Sequence, residues 1–115
     1  MRVALVSGNR ETMPDAVIPL GLLYLQASLP AEVESELWDL CFEEDPEATL
    51  KERLAAFCPE VVALGIRNLQ RNDYGGYEET LAYYRRLMVA IRGITSAPVV
   101  VGGGGFSVAP ELLMR

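Results

Sequence analysis

Four short runs rich in apolar and β-branched residues, RVALVSG (2–8), VESELWDLC (33–41), VVALGI (61–66) and APVVVGG (97–103), alternate along the chain with stretches of helical periodicity. That alternation is the pattern of a parallel sheet covered by helices. VESELWDLC sets Val33, Ser35, Leu37 and Asp39 against Glu34, Glu36, Trp38 and Leu40, so it fits an edge strand with one poorly buried face. VVALGI is apolar without interruption, as expected of a strand buried on both faces at the centre of the sheet.

The intervening segments read as helices for local reasons. PLGLLYLQASL (19–29) is strongly apolar and opens on Pro19, whose missing N–H would have no partner in a first turn anyway. Asp45 caps and Pro46 opens a second helix, with Leu50, Leu54 and Phe57 on one face and Pro59 as its stop. The third extends from Tyr77 to Arg92, with Tyr77, Leu81, Tyr84, Met88 and Ile91 as the buried stripe and Gly93 as the C′ residue that ends it. APELLMR (109–115) begins a fourth helix, which gives the order β-α-β-α-β-α-β-α in one domain spanning residues 1–115.

Charge and residue types exclude several functions. The 115 residues carry 10 basic and 16 acidic side chains, a net charge of −6, which argues against a nucleic-acid backbone or an anionic membrane surface as partner. No apolar run approaches the roughly 20 residues that cross a bilayer, and the short apolar N-terminus does not make a secretory signal, so a cytoplasmic protein is expected. Cys41 and Cys58 are too few for a thiolate-only metal site and are expected to pack as small apolar groups. The absence of histidine removes imidazole base catalysis, imidazole metal ligation and any Ser-His-Asp arrangement.

In open α/β sheets ligands bind at the carboxyl ends of the strands. Here those ends are Ser7-Gly8-Asn9-Arg10, Arg67-Asn68 and the segment Gly102 to Ser107, a rim of glycine, amide, hydroxyl and guanidinium groups. Four consecutive glycines carry a large entropy in the unfolded chain, and close approach of backbone to ligand would offset it; a plain strand-to-helix loop is the alternative. Gly8 also fits a simple turn, and Arg10 a solvated surface arginine. Val17-Ile18-Pro19 supplies no capping side chain, which leaves the first N–H groups of the following helix to water or to a ligand acceptor. Known phosphate loops do not fit: GGGGFS lacks the Lys-Ser/Thr of a P-loop, and SGNRET is not G-x-G-x-x-G.

Taken together, IPLGLLYLQASL after the first strand, PEVVALGIRN around the third, and IRGITSAPVVVGGGGFSVAPELLMR around the fourth resemble the N-terminal cobalamin-binding domain of cobalamin-dependent radical SAM enzymes. In that family P-L-G-L-x-Y-L-A follows the first strand and V-V-x-G-G-x-x-F-S-x-x-P-E ends the fourth. The resemblance covers nearly the whole chain. It implies a flavodoxin-like (Rossmann-like) sheet of order 2-1-3-4, cut short before a fifth strand, in a fragment of a longer enzyme. It also implies cobalamin across the carboxyl edge, with contacts at Ser7, Gly8, Asn9, Leu20, Gly21, Arg67, Asn68, Gly102, Gly103, Gly104, Gly105, Phe106 and Ser107.

Two departures from related patterns shape the expectation. Methionine-synthase-type domains carry D-x-H-x-x-G after strand one, whereas this chain has no histidine, so cobalamin is expected without a protein histidine ligand. The C-x-x-x-C-x-x-C motif for an iron–sulfur cluster is also absent, which assigns S-adenosylmethionine, the cluster and the methyl transfer or radical rearrangement to a radical SAM domain outside this chain. No catalytic residue is expected here. The competing readings are a folded fragment that serves only in assembly, and a flavodoxin-like domain for a flavin or another nucleotide. An unprotected strand-four edge is expected to pair with a second copy.

Overall fold

The computed structural model describes residues 1–10, 18–66 and 77–103. In chain order the elements are β1 (Arg2–Ser7), α1 (Leu20–Ser28), β2 (Glu34–Asp39), α2 (Pro46–Phe57), β3 (Val61–Gly65), α3 (Tyr77–Ile94) and β4 (Val99–Gly102). The four strands form one parallel sheet in the order β2-β1-β3-β4. Leu5 sits level with Leu37 on one side and Ala63 on the other, so the strand ends fall nearly in line. The expected fourth helix and residues 67–76 and 104–107 lie outside the described residues.

Side-chain alternation divides the sheet into two unlike faces. Ala4, Val6, Trp38, Leu40, Val62, Leu64 and Ile66 point to one side, where α2 contributes Leu50, Leu54 and Phe57 and α3 contributes Leu81, Tyr84, Leu87 and Ile91. Trp38 meets Phe57 edge to face, with ring centroids 6.0 Å apart, and its indole N–H donates to the Glu36 carboxylate at 2.9 Å. Removing side chains of this size from water stabilises the fold by about 1.5–3 kcal/mol each.

The opposite face is thinly covered. Val3 and Leu5 are buried there, but α1 buries none of its nine residues, and Leu20, Leu23, Tyr24 and Leu25 are exposed. A hydrogen bond from the Gln26 amide to the Ser35 hydroxyl, 3.2 Å long, ties α1 to the β2 side of this face. Consequently β3 is sealed only at Val62 and Leu64, while Val61, Ala63 and Gly65 are half-buried. The strand with both faces buried is β1, where every residue from Val3 to Ser7 is buried.

Local capping follows the residues closely. The Asp45 carboxylate accepts from the Ala48 N–H at 3.1 Å, and Pro46 occupies the first turn of α2. Three expectations require correction. Helix α3 runs through Gly93 to Ile94, and Gly93 is not among the residues with positive φ, because the Thr95 N–H still bonds to the Ile91 carbonyl. Leu87, not foreseen in the stripe, is fully buried, whereas Met88 is half-buried and the Tyr77 side chain lies outside the described residues. Cys41 is buried as expected, but Cys58 is exposed, since it is the left-handed residue (φ 51°) that ends α2 and the helix turns away from the core there.

Candidate functional site

On the thinly covered face, at the carboxyl ends of β1, β3 and β4, the structure holds a cleft of about 480 Å³. This volume lies within the roughly 300–1,000 Å³ typical of small-molecule sites. Helix α1 forms one wall through Pro19, Leu20, Gly21, Leu22 and Leu25. The floor is Ala63 and Gly65 of β3, and β4 closes the far side with Val100 and Gly102. The lining is mostly apolar.

Two polar side chains reach it from the end of β1. Ser7 and Asn9 are the buried polar residues of the described chain, 7% and 8% exposed, and both line the cleft. Their placement follows from strand alternation, since Val3, Leu5, Ser7 and Asn9 share a side of the chain opposite to Ala4, Val6 and Gly8. The start of α1 borders the same space. Pro19 stands at its N-cap without any side-chain cap hydrogen bond, and the Leu20 N–H turns back to the Ile18 carbonyl at 2.8 Å.

The glycines at the strand ends serve different purposes. At Gly8 a Cβ would lie 2.5 Å from Cε1 of Tyr84, so this glycine accommodates a core ring on the packed face and does not line the cleft. Gly103 adopts φ +101°, and a Cβ there would lie 2.5 Å from the Ile66 carbonyl oxygen. That position is reserved for glycine both by backbone conformation and by space. Gly102 and Gly21 have open space where a side chain would start. Gly65 admits Leu22 of α1, whose Cδ1 would stand 3.2 Å from an added Cβ.

The structure therefore brings six of the thirteen expected contact residues, Ser7, Asn9, Leu20, Gly21, Gly102 and Gly103, to one cleft, with Gly8 behind it. Arg67, Asn68, Gly104, Gly105, Phe106 and Ser107 lie outside the described residues. Arg10 has a structural role, since its guanidinium donates to the backbone carbonyls of Leu40 and Glu43 and fastens the segment after β1 to the segment after β2. Sequence reasoning passed over Gly65, Leu22 and Leu25. The signal was present in the Ala-Leu-Gly of VVALGI, where small residues alternate with large ones on a single strand. Among the described residues, no group of three or more His, Cys, Asp or Glu side chains is placed to hold a metal ion, and no helix is long and apolar enough to cross a membrane.

Fold and cleft together define a flavodoxin-like α/β domain whose cleft lies where the sheet's winding reverses, between β1 and β3. No protein-family model matches the chain. The sequence is 34% identical over 121 aligned positions to the tryptophan 2-C-methyltransferase of Streptomyces laurentii, covering 97% of this chain and 19% of that protein. The structure of the radical S-adenosylmethionine methyltransferase TsrM from Kitasatospora setae with cobalamin and a [4Fe-4S] cluster bound superimposes with a TM-score of 0.74 at 29% identity, over 95% of this chain and 19% of that one. TsrM with tryptophan substrate and a SAM analogue bound gives a TM-score of 0.72 at 28% identity, over 98% and 21%. The chain is thus similar in sequence and fold to part of these methyltransferases, and it spans about a fifth of the length of the relatives it matches.

Proposed function

We propose that this chain is the cobalamin-holding domain of a radical SAM methyltransferase. The observation that carries the reading is the apolar cleft at the carboxyl ends of the strands, floored by Ala63 and Gly65, bordered by Gly102 and Gly103 and reached by Ser7 and Asn9 from the end of β1, in a fold shared with a protein whose structure contains cobalamin. Cobalamin presents two unlike parts, a broad macrocycle fringed with amides and a nucleotide tail ending in a flat, weakly polar base. The cleft suits the tail. Its apolar walls can take the base, the Ser7 hydroxyl and the Asn9 amide can bond to ribose or amide groups, and the uncapped start of α1 favours the tail's phosphate.

Arg67 and Asn68 come one residue after β3, and Gly104, Gly105, Phe106 and Ser107 one residue after β4, so by their place in the chain they are proposed to extend the contact to the macrocycle. Bound cobalamin supplies a cobalt centre able to carry a methyl group. This chain's own part would be to bind it, and with no histidine in the sequence it has no imidazole side chain to offer the cobalt. S-adenosylmethionine, the iron–sulfur cluster and the methyl acceptor are assigned to the remainder of a longer protein. Domain and fragment status, residues 1–115 forming one unit of it, belong to the same proposal.

Titration of the purified chain with hydroxocobalamin, followed by visible absorption and calorimetry, tests the reading. Saturable binding with a spectrum lacking a nitrogen ligand on the lower face is expected, and a folded chain that binds none overturns it. The assembly expectation has its own test. β4 borders the described strands with Val100 58% exposed, and light scattering on concentrated protein should report a dimer; a monomer removes that part.

A further inference from the structure

We propose that Gly65 and Leu22 act as a thickness gauge for the base of the bound nucleotide tail, so that this pair determines which lower base the protein accepts; the inference rests on the cobalamin reading above. The two residues touch within the cleft, where the Leu22 side chain packs over Gly65. Gly65 lies on its floor in β3, Leu22 in its helical wall, and both belong to its lining. An added Cβ at residue 65 would stand 3.2 Å from Leu22 Cδ1 and 3.4 Å from Cγ, so even one methyl group moves Leu22 by a few tenths of an ångström. Among the described residues no other glycine of the cleft behaves this way: at Gly102 and Gly21 a side chain would meet open space, and at Gly103 it would strike the Ile66 carbonyl.

Side-chain size at residue 65 thus sets how far Leu22 stands out into the cleft, and the clearance left for a flat ring beside the pair follows from it. Ser7 and Asn9 lie on the β1 side of the floor, where they meet polar edges. Size is therefore read at residues 22 and 65, and hydrogen-bonding pattern at residues 7 and 9. A single methylene in an apolar pocket discriminates by about 10- to 200-fold, which is enough to separate corrinoids that differ only in their base.

The experiment compares hydroxocobalamin, a cobamide carrying adenine as its base, and cobinamide, which has no nucleotide tail, by spectroscopic titration of the same protein. Gly65→Ala should weaken hydroxocobalamin at least about tenfold and leave cobinamide unchanged. Leu22→Phe should do the same from the helix side without touching the sheet, with circular dichroism confirming that each variant is folded. Leu22→Ala added to Gly65→Ala should restore most of the affinity and shift the preference between the two bases. Equal losses for cobinamide, no loss for hydroxocobalamin, or failure of the double variant to recover overturns the gauge while leaving cobalamin binding in place. Absence of hydroxocobalamin and cobinamide binding by the unsubstituted protein overturns the functional reading and the gauge with it.

Discussion

On one face of the sheet Trp38, Leu40, Val62 and Leu64 are sealed beneath α2 and α3, whereas on the other Ala63 and Gly65 lie beside a helix that buries none of its residues. The same strands supply both faces, so the contrast arises from alternate positions of single segments. In VVALG the residues Val62 and Leu64 are large and face the packed side, while Ala63 and Gly65 are small and face the open one. Stability is concentrated on the first face, and space for a ligand on the second. The two can therefore be altered separately.

The largest effect should come from the sealed face. Leu54→Ala, at a position 1% exposed, should cost about 2–5 kcal/mol in urea denaturation, and a smaller loss would mean that α2 can collapse into the vacated space. Gly8→Ala forces a methyl against the buried Tyr84 ring and should cost about 1–3 kcal/mol. The two helix starts make a parallel comparison. Asp45→Ala should cost about 1 kcal/mol by removing the cap on α2, while α1 has no side-chain cap to lose.

Titration sharpens the contrast next. Burial pushes the Tyr83 phenol up to about 12, partly opposed by Arg10 and Arg86, and burial raises Tyr84 as well. A phenol that holds its proton more tightly when folded leaves stability intact below its ordinary value near 10 and lowers it as pH climbs from about 10 toward 12. Urea midpoints should accordingly fall between pH 8 and pH 11, by about 1 kcal/mol from Tyr83. Tyr83→Phe should flatten part of that fall, and it also removes a buried hydroxyl without a hydrogen-bond partner. The smallest effect belongs to the open face. Gly102→Ala meets no atom within 4 Å, so thermal stability should stay within about 0.5 kcal/mol of the parent while ligand affinity drops.

Much of the element order could be read in the sequence, whereas the division into two faces shows what local pattern leaves out. Asp45-Pro46 and the stripe Leu50, Leu54, Phe57 announce α2 because capping and periodicity depend on neighbours alone. Gly93 misled because a glycine near a helix end suits a C′ position, whereas the Thr95 to Ile91 bond carried the helix onward. VVALGI is apolar enough for burial on both sides; only the third dimension shows that Ala63 and Gly65 floor a cleft. At the site, strand order explains why Ser7, Asn9, Gly102 and Gly103 could be anticipated, since the ends of β1 and β4 had to meet on one edge. Leu22 and Leu25 were legible only as apolar helix residues. Likewise the Tyr84 ring behind Gly8 is a contact between distant segments that no spacing within β1 reveals.

Helix α1 has a consequence for motion. A nine-residue helix is too short to persist alone, and this one has neither a side-chain cap nor a buried residue to hold it. Its amide protons should exchange through local opening long before those of β1, which await global unfolding. One wall of the cleft is then an element whose ordering is partly completed by whatever binds there, and some binding free energy is consumed in that ordering. Occupancy would reveal itself as slowed exchange along Leu23 to Ser28, including amides that no ligand atom touches.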